Sequence, residues 1–354
     1  MLRCTRCGRT YPETFRMGCD CGGTLLVERD YYDFSGSLLP YLDIRRYLSF
    51  LPIGGNYLPP AIPAITPTAS VQIGSVFALF KLDYLQPSGS FKDRGTWVTV
   101  AKLMEEGISE VVLDSSGNAA LSMALYSPPA GIKAHVFVSY DTLPEKLSLL
   151  QRLGAIVHFV EGDRMAVHER AKEFAEREGL TYVSHWLNPY FIEGTKTAAF
   201  EVYEQVGVLD YVLVPTGSGT LFLGLWKGFK ELEMMDEIAE LPVFVAVQAA
   251  GYESLCNRSP VKNSLADGIA IPRPPRLGEM KRALKETNGL CVSVDETETR
   301  RALGWLKGAG FLVEPTSAVV LAAMWKLVET GEIAEGSRVL LPLTGSGLKL
   351  TEGI

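Results

Sequence analysis

The chain has 354 residues, 47% hydrophobic and 21% charged, with a net charge of −7; this is the balance of a folded globular protein long enough for one large domain or two ordinary ones. No run of Lys or Arg supplies the basic face that a nucleic-acid backbone requires, and no apolar stretch reaches the roughly 18 residues of a membrane span. The opening "MLRCTRCGRT" is basic without an apolar core, unlike a signal peptide, so a soluble cytoplasmic protein is the expectation.

Four of the six cysteines, Cys4, Cys7, Cys19 and Cys21, fall in the first 21 residues. Their pattern, "CTRC" and then "CDC", is similar to a zinc ribbon, in which four thiolates close a tetrahedral site and leave no open position for catalysis. Gly8 and Gly22 follow the pairs, as the tight turns of such a site require. The second pair is Cys-x-Cys rather than Cys-x-x-Cys, and the same ligands also suit iron or form a short arm of free thiols. Cys256 and Cys291 stand isolated, which is no disulfide framework.

From residue 77 onward, apolar runs alternate with amphipathic stretches. Strands are expected at 76–82, 110–114, 134–139, 155–160, 181–185, 211–215, 243–249 and 338–344. Helices are expected at 94–106, 118–126, 143–153, 163–178, 194–206, 219–232 and 316–331. The strand runs are apolar throughout, so helices should cover both faces of mostly parallel sheets, in an α/β architecture with two sheets. Residues 256–276, "CNRSPVKNSLADGIAIPRPPR", interrupt this rhythm as a long surface connection of the kind that often carries function.

Ligands of parallel α/β folds lie where strands run into helix N-termini. Three such junctions hold small polar residues: "LDSSGNAALS", "VPTGSGTLFLG" and "LPLTGSGLK". Any one of them alone reads as a turn and a helix cap. None is a P-loop or a dinucleotide fingerprint. A fourth stretch, "PSGSFKDRGT", sets Lys92 among small flexible residues. Amides at a helix start suit a phosphate, and a lysine amine bonds to an aldehyde. Together they suit pyridoxal 5′-phosphate, although Lys92 taken alone reads as a solvated lysine at a helix start.

These stretches, with "NPYFIEGTKTAAFEV" and "EPTSA", resemble the threonine synthase branch of the fold-type II pyridoxal-phosphate enzymes over essentially the whole chain, cysteine ribbon included. The resemblance implies two doubly wound α/β domains beside a small zinc-ribbon-like segment: residues 1–30 as the ribbon, 31–100 and 191–354 as the large cofactor-binding domain, and 101–190 as a smaller mobile one. It also implies a homodimer acting on a small amino acid. By position, Lys92 would be the Schiff-base lysine and Asn118 the partner of the ring hydroxyl. Gly217, Ser218, Gly219 and Thr220 would hold the cofactor phosphate, and Thr344 would face the ring nitrogen. Ser115, Ser116 and Gly117 would grip the substrate carboxylate.

One departure stands out. Threonine synthases commonly place an Arg, assigned to the substrate phosphate, where this chain has Phe191, and small polar groups where it has His185 and Trp186. A dianionic phosphate wants charge-assisted donors; Arg94, Lys196 and His185 are the alternatives, although His185 also reads as an ordinary packed histidine. Three functions therefore compete. The first is threonine synthase. The second is β-elimination or replacement on serine, threonine or O-phosphoserine, as in a dehydratase or a cysteate synthase-like enzyme; the loop "LADGIAIPRPPR" is similar to that of serine and threonine dehydratases. The third is a non-catalytic module that binds the cofactor or an amino acid.

Overall fold

In the computed structural model, residues 1–142 and 144–349 are described. In chain order the strands are β1 (Leu2–Cys4), β2 (Thr10–Tyr11), β3 (Leu25–Val27), β4 (Thr68–Ile73), β5 (Val76–Lys81), β6 (Glu110–Leu113), β7 (Lys133–Ser139), β8 (Ile156–Val160), β9 (Thr181–Tyr182), β10 (Tyr211–Pro215), β11 (Val243–Ala249), β12 (Leu290–Val294) and β13 (Arg338–Pro342). The helices are α1 (Phe34–Ser37), α2 (Lys92–Glu105), α3 (Asn118–Tyr126), α4 (Pro144–Arg152), α5 (Arg164–Glu178), α6 (Pro189–Val206), α7 (Thr220–Met234), α8 (Leu277–Glu286), α9 (Glu296–Gly308) and α10 (Pro315–Glu329). The helix expected at 143–153 thus begins at Pro144, and its first expected residue, Leu143, lies outside the described residues.

The chain divides into two compact units. Unit 1 gathers Met1–Asp30, Ser37–Ala64 and Lys92–Gly194. It holds a four-stranded parallel sheet, β8-β7-β6-β9, and a small antiparallel sheet, β2-β1-β3. Alternation along β6 sends Val111 and Leu113 into a core with Trp97 and Leu103 of α2, while Val112 faces Val167, Ala171 and Ala175 of α5. Both faces are covered, which is why the strand reads as one apolar run. Leu2, Leu25 and Val27 of the ribbon join the α2 core. The Tyr190 hydroxyl donates to the Thr14 carbonyl at 2.9 Å, and the Phe15 amide to the Glu106 carboxylate at 2.6 Å. The ribbon is therefore packed into unit 1 rather than free as an arm. Residues 37–64, 92–100 and 191–194, expected in the large domain, also fall in unit 1.

Unit 2 comprises Tyr31–Gly36, Ile65–Phe91 and the chain from Thr195 onward. Its six-stranded sheet runs β12-β11-β10-β13-β5-β4, parallel except for the antiparallel edge strand β4. Fully buried Ala318–Val320 of α10 pack in one core with Phe80, Leu213, Val245 and Leu341 of the strands. A buried ion pair, Lys81 to Glu201 at 2.7 Å, lies in the same unit, and the Lys81 amine also donates to the Thr66 carbonyl at 2.6 Å. Cys256 and Cys291, isolated in the sequence, are joined by a disulfide across 35 residues, with Cα atoms 5.3 Å apart. That bond ties the start of the 256–276 connection to β12.

Candidate active site

In unit 1, Lys92 is the first residue of α2. The glycine three positions after it explains part of its setting. A Cβ on Gly95 would lie 2.5 Å from the ring of Phe191, and one on Gly194 only 2.1 Å from the Arg94 carbonyl oxygen. Glycine at both positions lets the start of α6 lie directly on α2. The Phe191 ring is buried, its centroid 5.9 Å from the Lys92 amine and 6.0 Å from the His185 ring. Burial first, then the positive charges of Lys92 and Arg164, hold the His185 imidazole well below the usual histidine range. The residue is thus neutral near pH 7.

The second feature of unit 1 is the turn from β6 into α3. Ser115, Ser116, Gly117 and Asn118 are all partly exposed. Gly117 is the N-cap of α3 and supplies no side-chain cap; its amide donates to Ser115 Oγ at 3.3 Å. Asp114, just before the turn, is held from three sides. It accepts from the Tyr182 hydroxyl, contacts His168 Nδ1 at 3.0 Å and pairs with Arg164 at 3.1 Å. Burial, then the Asp114 carboxylate, push the Tyr182 phenol up, so it remains a donor. Sequence reading missed this clamp, since Tyr182 lies 68 residues and His168 54 residues from Asp114.

In unit 2, Gly217, Ser218, Gly219 and Thr220 lead from β10 into the 15-residue α7 and are all buried. Gly219, the N-cap, has φ of +90° and supplies no side-chain cap. A Cβ there would meet Met280 Sδ at 2.5 Å, and one on Gly217 the Ile269 Cα at 2.9 Å. Ser218 and Thr220 hydroxyls lie 3.3 Å apart. A helix start without a side-chain cap, lined by hydroxyls and glycines that admit no Cβ, fits a phosphate group. Thr344 follows β13. Its amide donates to Ser317 Oγ at 2.9 Å, its hydroxyl lies 3.1 Å from the same oxygen, and its carbonyl accepts from the Phe91 amide at 3.0 Å. Phe91 directly precedes Lys92 in the chain. A threonine hydroxyl suits a neutral pyridine nitrogen, and the helix start of α7 suits a phosphate, so the residues present fit pyridoxal phosphate.

Two residues considered for the substrate phosphate are not available to it. Arg94 is fully buried. Lys196, also fully buried, is ion-paired with Glu231 at 2.8 Å, and its amine lies over the Tyr31 ring at 4.8 Å.

At the N-terminus, the sulfurs of Cys4, Cys7, Cys19 and Cys21 all lie within 4.8 Å of one another, with Cys4–Cys21 and Cys7–Cys19 at 3.6 Å. Zn–S bonds of about 2.3 Å put the sulfurs of a tetrahedral site about 3.8 Å apart, so the cluster fits zinc. Gly8 and Gly22 have φ of +75° and +74°, and a Cβ on Gly23 would lie 2.7 Å from Cys4 Sγ.

A family profile described as "Pyridoxal-phosphate dependent enzyme" matches residues 62–345. A threonine synthase of Methanocaldococcus jannaschii is 32% identical over 99% of this chain and 93% of its own length. Among solved structures, a serine racemase from Dictyostelium discoideum is 25% identical with a TM-score of 0.70, covering 82% of this chain and 94% of that one. The processed form of threonine deaminase isoform 2 from Solanum lycopersicum shares the fold, with a TM-score of 0.71 at 20% identity, over 90% of this chain and 92% of that one.

Proposed function

We propose, from the premise that this chain belongs to the family of pyridoxal-phosphate-dependent enzymes, that it is a threonine synthase, a lyase converting O-phospho-L-homoserine and water to L-threonine and phosphate. The observation that carries the reading is the match to a threonine synthase over 99% of the chain, a span that takes in the cysteine ribbon.

The cofactor, when bound, supplies an aldehyde for amines and a ring that withdraws electrons from Cα. Lys92 would be the residue that holds the cofactor, and its amine would move protons, first from Cα and then from Cβ of the substrate. Its amine stands beside the buried Phe191 ring, in the same unit as the neutral His185. Asn118 would hydrogen-bond the ring hydroxyl, and the amides of Gly217 to Thr220 would hold the cofactor phosphate. Thr344 offers the ring nitrogen a hydroxyl rather than a carboxylate. Such a hydroxyl would leave a bound ring less electron-withdrawing than a carboxylate would, which suits elimination and replacement better than transamination. Ser115, Ser116 and Gly117 bind the substrate carboxylate. The Cγ–O bond breaks and phosphate leaves, water adds its hydroxyl at Cβ, and protons return to Cγ and Cα. As the resemblance implies, the enzyme is a homodimer.

A second reading, β-elimination or replacement on an unphosphorylated amino acid such as serine or threonine, is favoured by the buried Phe191 ring, which offers a phosphate no charge. Phosphate release from O-phosphohomoserine, assayed beside ammonia and 2-oxo acid release from serine and threonine, separates the two. Release of phosphate that is lost in Lys92→Ala is expected. Asn118→Ala should still bind cofactor but turn over slowly. A protein that stays colourless with added cofactor, with Lys92 unmodified after borohydride, would refute both readings.

A further inference from the structure

The Ser317 hydroxyl is fully buried near the start of α10, 27 residues before Thr344. A hydroxyl has one proton to donate and two lone pairs to accept with. The amides of Thr344 and Gly345 donate to Ser317 Oγ at 2.9 and 3.1 Å, which fills both lone pairs. The Ser317 proton must then be donated. Two acceptors stand in reach: Thr344 Oγ1 at 3.1 Å and the Gly345 carbonyl at 3.4 Å. The first is the shorter, and hydroxyl bonds weaken with length. If Thr344 instead donated to Ser317, the serine oxygen would have to accept three times.

We infer that Ser317 is a positioning residue: by spending its lone pairs on the two amides and its proton on Thr344 Oγ1, it keeps the Thr344 proton as a donor for the cofactor's ring nitrogen. Ser317 is the one partner of the Thr344 hydroxyl among the described residues. A donor opposite the nitrogen keeps it unprotonated, whereas a Thr344 hydroxyl free to rotate would also accept, and so stabilise the protonated ring. Ser317 thus sets, through Thr344, how strongly the ring withdraws electrons. The inference rests on the reading of Thr344 as the ring partner.

The test is a double-mutant cycle of Ser317→Ala and Thr344→Ala on the holoenzyme. Ser317→Ala should lower kcat roughly tenfold, the worth of one oriented hydrogen bond, with KM nearly unchanged. In the Thr344→Ala background the same substitution should cost less than about twofold, because its route of action is already gone. The pH dependence of the bound cofactor's absorbance should change in both single variants alike. Ser317→Thr, which keeps the hydroxyl, should retain the wild-type pH dependence. Ser317→Cys, a weak donor, should lose it, and serves if the alanine variant does not fold. Losses in kcat that multiply, or a Ser317→Cys absorbance profile like the wild type's, would overturn the role. A wild-type protein that does not take up the cofactor at Lys92 would refute the functional reading itself, a result distinct from either.

Discussion

Replacing Gly194 by alanine tests the packing that places Lys92. The new Cβ would lie 2.1 Å from the Arg94 carbonyl oxygen, 2.5 Å from its carbon and 2.7 Å from the Gly95 Cα, against an ordinary contact of 3.4 Å or more. All three neighbours are backbone, so no side chain can swing aside. The first turn of α2 and the second turn of α6 must part by about 1.3 Å in unit 1. Overpacking of this kind costs about 1–3 kcal/mol or more, and alanine's helix propensity returns up to about 1 kcal/mol. A net loss of about 2 kcal/mol is expected in urea denaturation. Lys92 lies two residues before Arg94 on the displaced turn, and a misplacement of about 1 Å at a reacting group costs on the order of a hundredfold in rate. Stability within about 0.5 kcal/mol of wild type, the range of a neutral surface change, together with full turnover, would refute the close packing of these helices.

Three further outcomes are expected. Burial raises the Glu13 carboxyl pKa, but Arg29 and the N-terminal amine outweigh it and hold the group at about 2. A depressed carboxylate pKa stabilises the fold above the unfolded value and loses that contribution as the pH falls through the folded one. The stability gap between wild type and Glu13→Gln should therefore be present at neutral pH and close as the pH falls from 4.5 toward about 2; a gap that persists at the acid end would contradict the ion pair. Reducing the Cys256–Cys291 bond, which closes a separation of 35 residues, should cost up to about 4 kcal/mol by loop entropy. Two titratable thiols in the unreduced protein, beyond those of the ribbon, would show that the bond does not form. Metal analysis should find one zinc per chain, lost with part of the stability in Cys7→Ser; metal-free wild type after growth in zinc would refute the ribbon site.

Much of the α/β frame was legible because parallel strands buried on both faces are apolar nearly throughout, as along β10. β4 escaped notice because, as an antiparallel edge strand, its residues are partly or wholly exposed and its sequence, "TASVQI", alternates. β12, α8 and α9 follow the Pro- and Gly-rich connection, where the rhythm is broken. α6 begins at Pro189, five residues before the expected start, because proline suits a first helical position. At the site, the glycine loops and Lys92 stood out since each needs a particular residue at a particular place. Ser317 within "EPTSA" and Asp114 within "LDSSGN" carry no such local mark, because their partners lie far along the chain.

Sequence alone determined what depends on chain neighbours: periodicity, turn glycines, the cysteine pairs of the ribbon and the lysine motif with its family resemblance. Only the tertiary structure decided which polar groups meet. It spent Arg94 and Lys196 inside the fold, left His185 neutral beside Lys92 and Arg164, and brought Ser317 to Thr344. Burial and pairing are properties of packed elements, because the cost of an unpaired polar group depends on what surrounds it, and residues dozens of positions apart become neighbours only after the sheets and helices have closed around them.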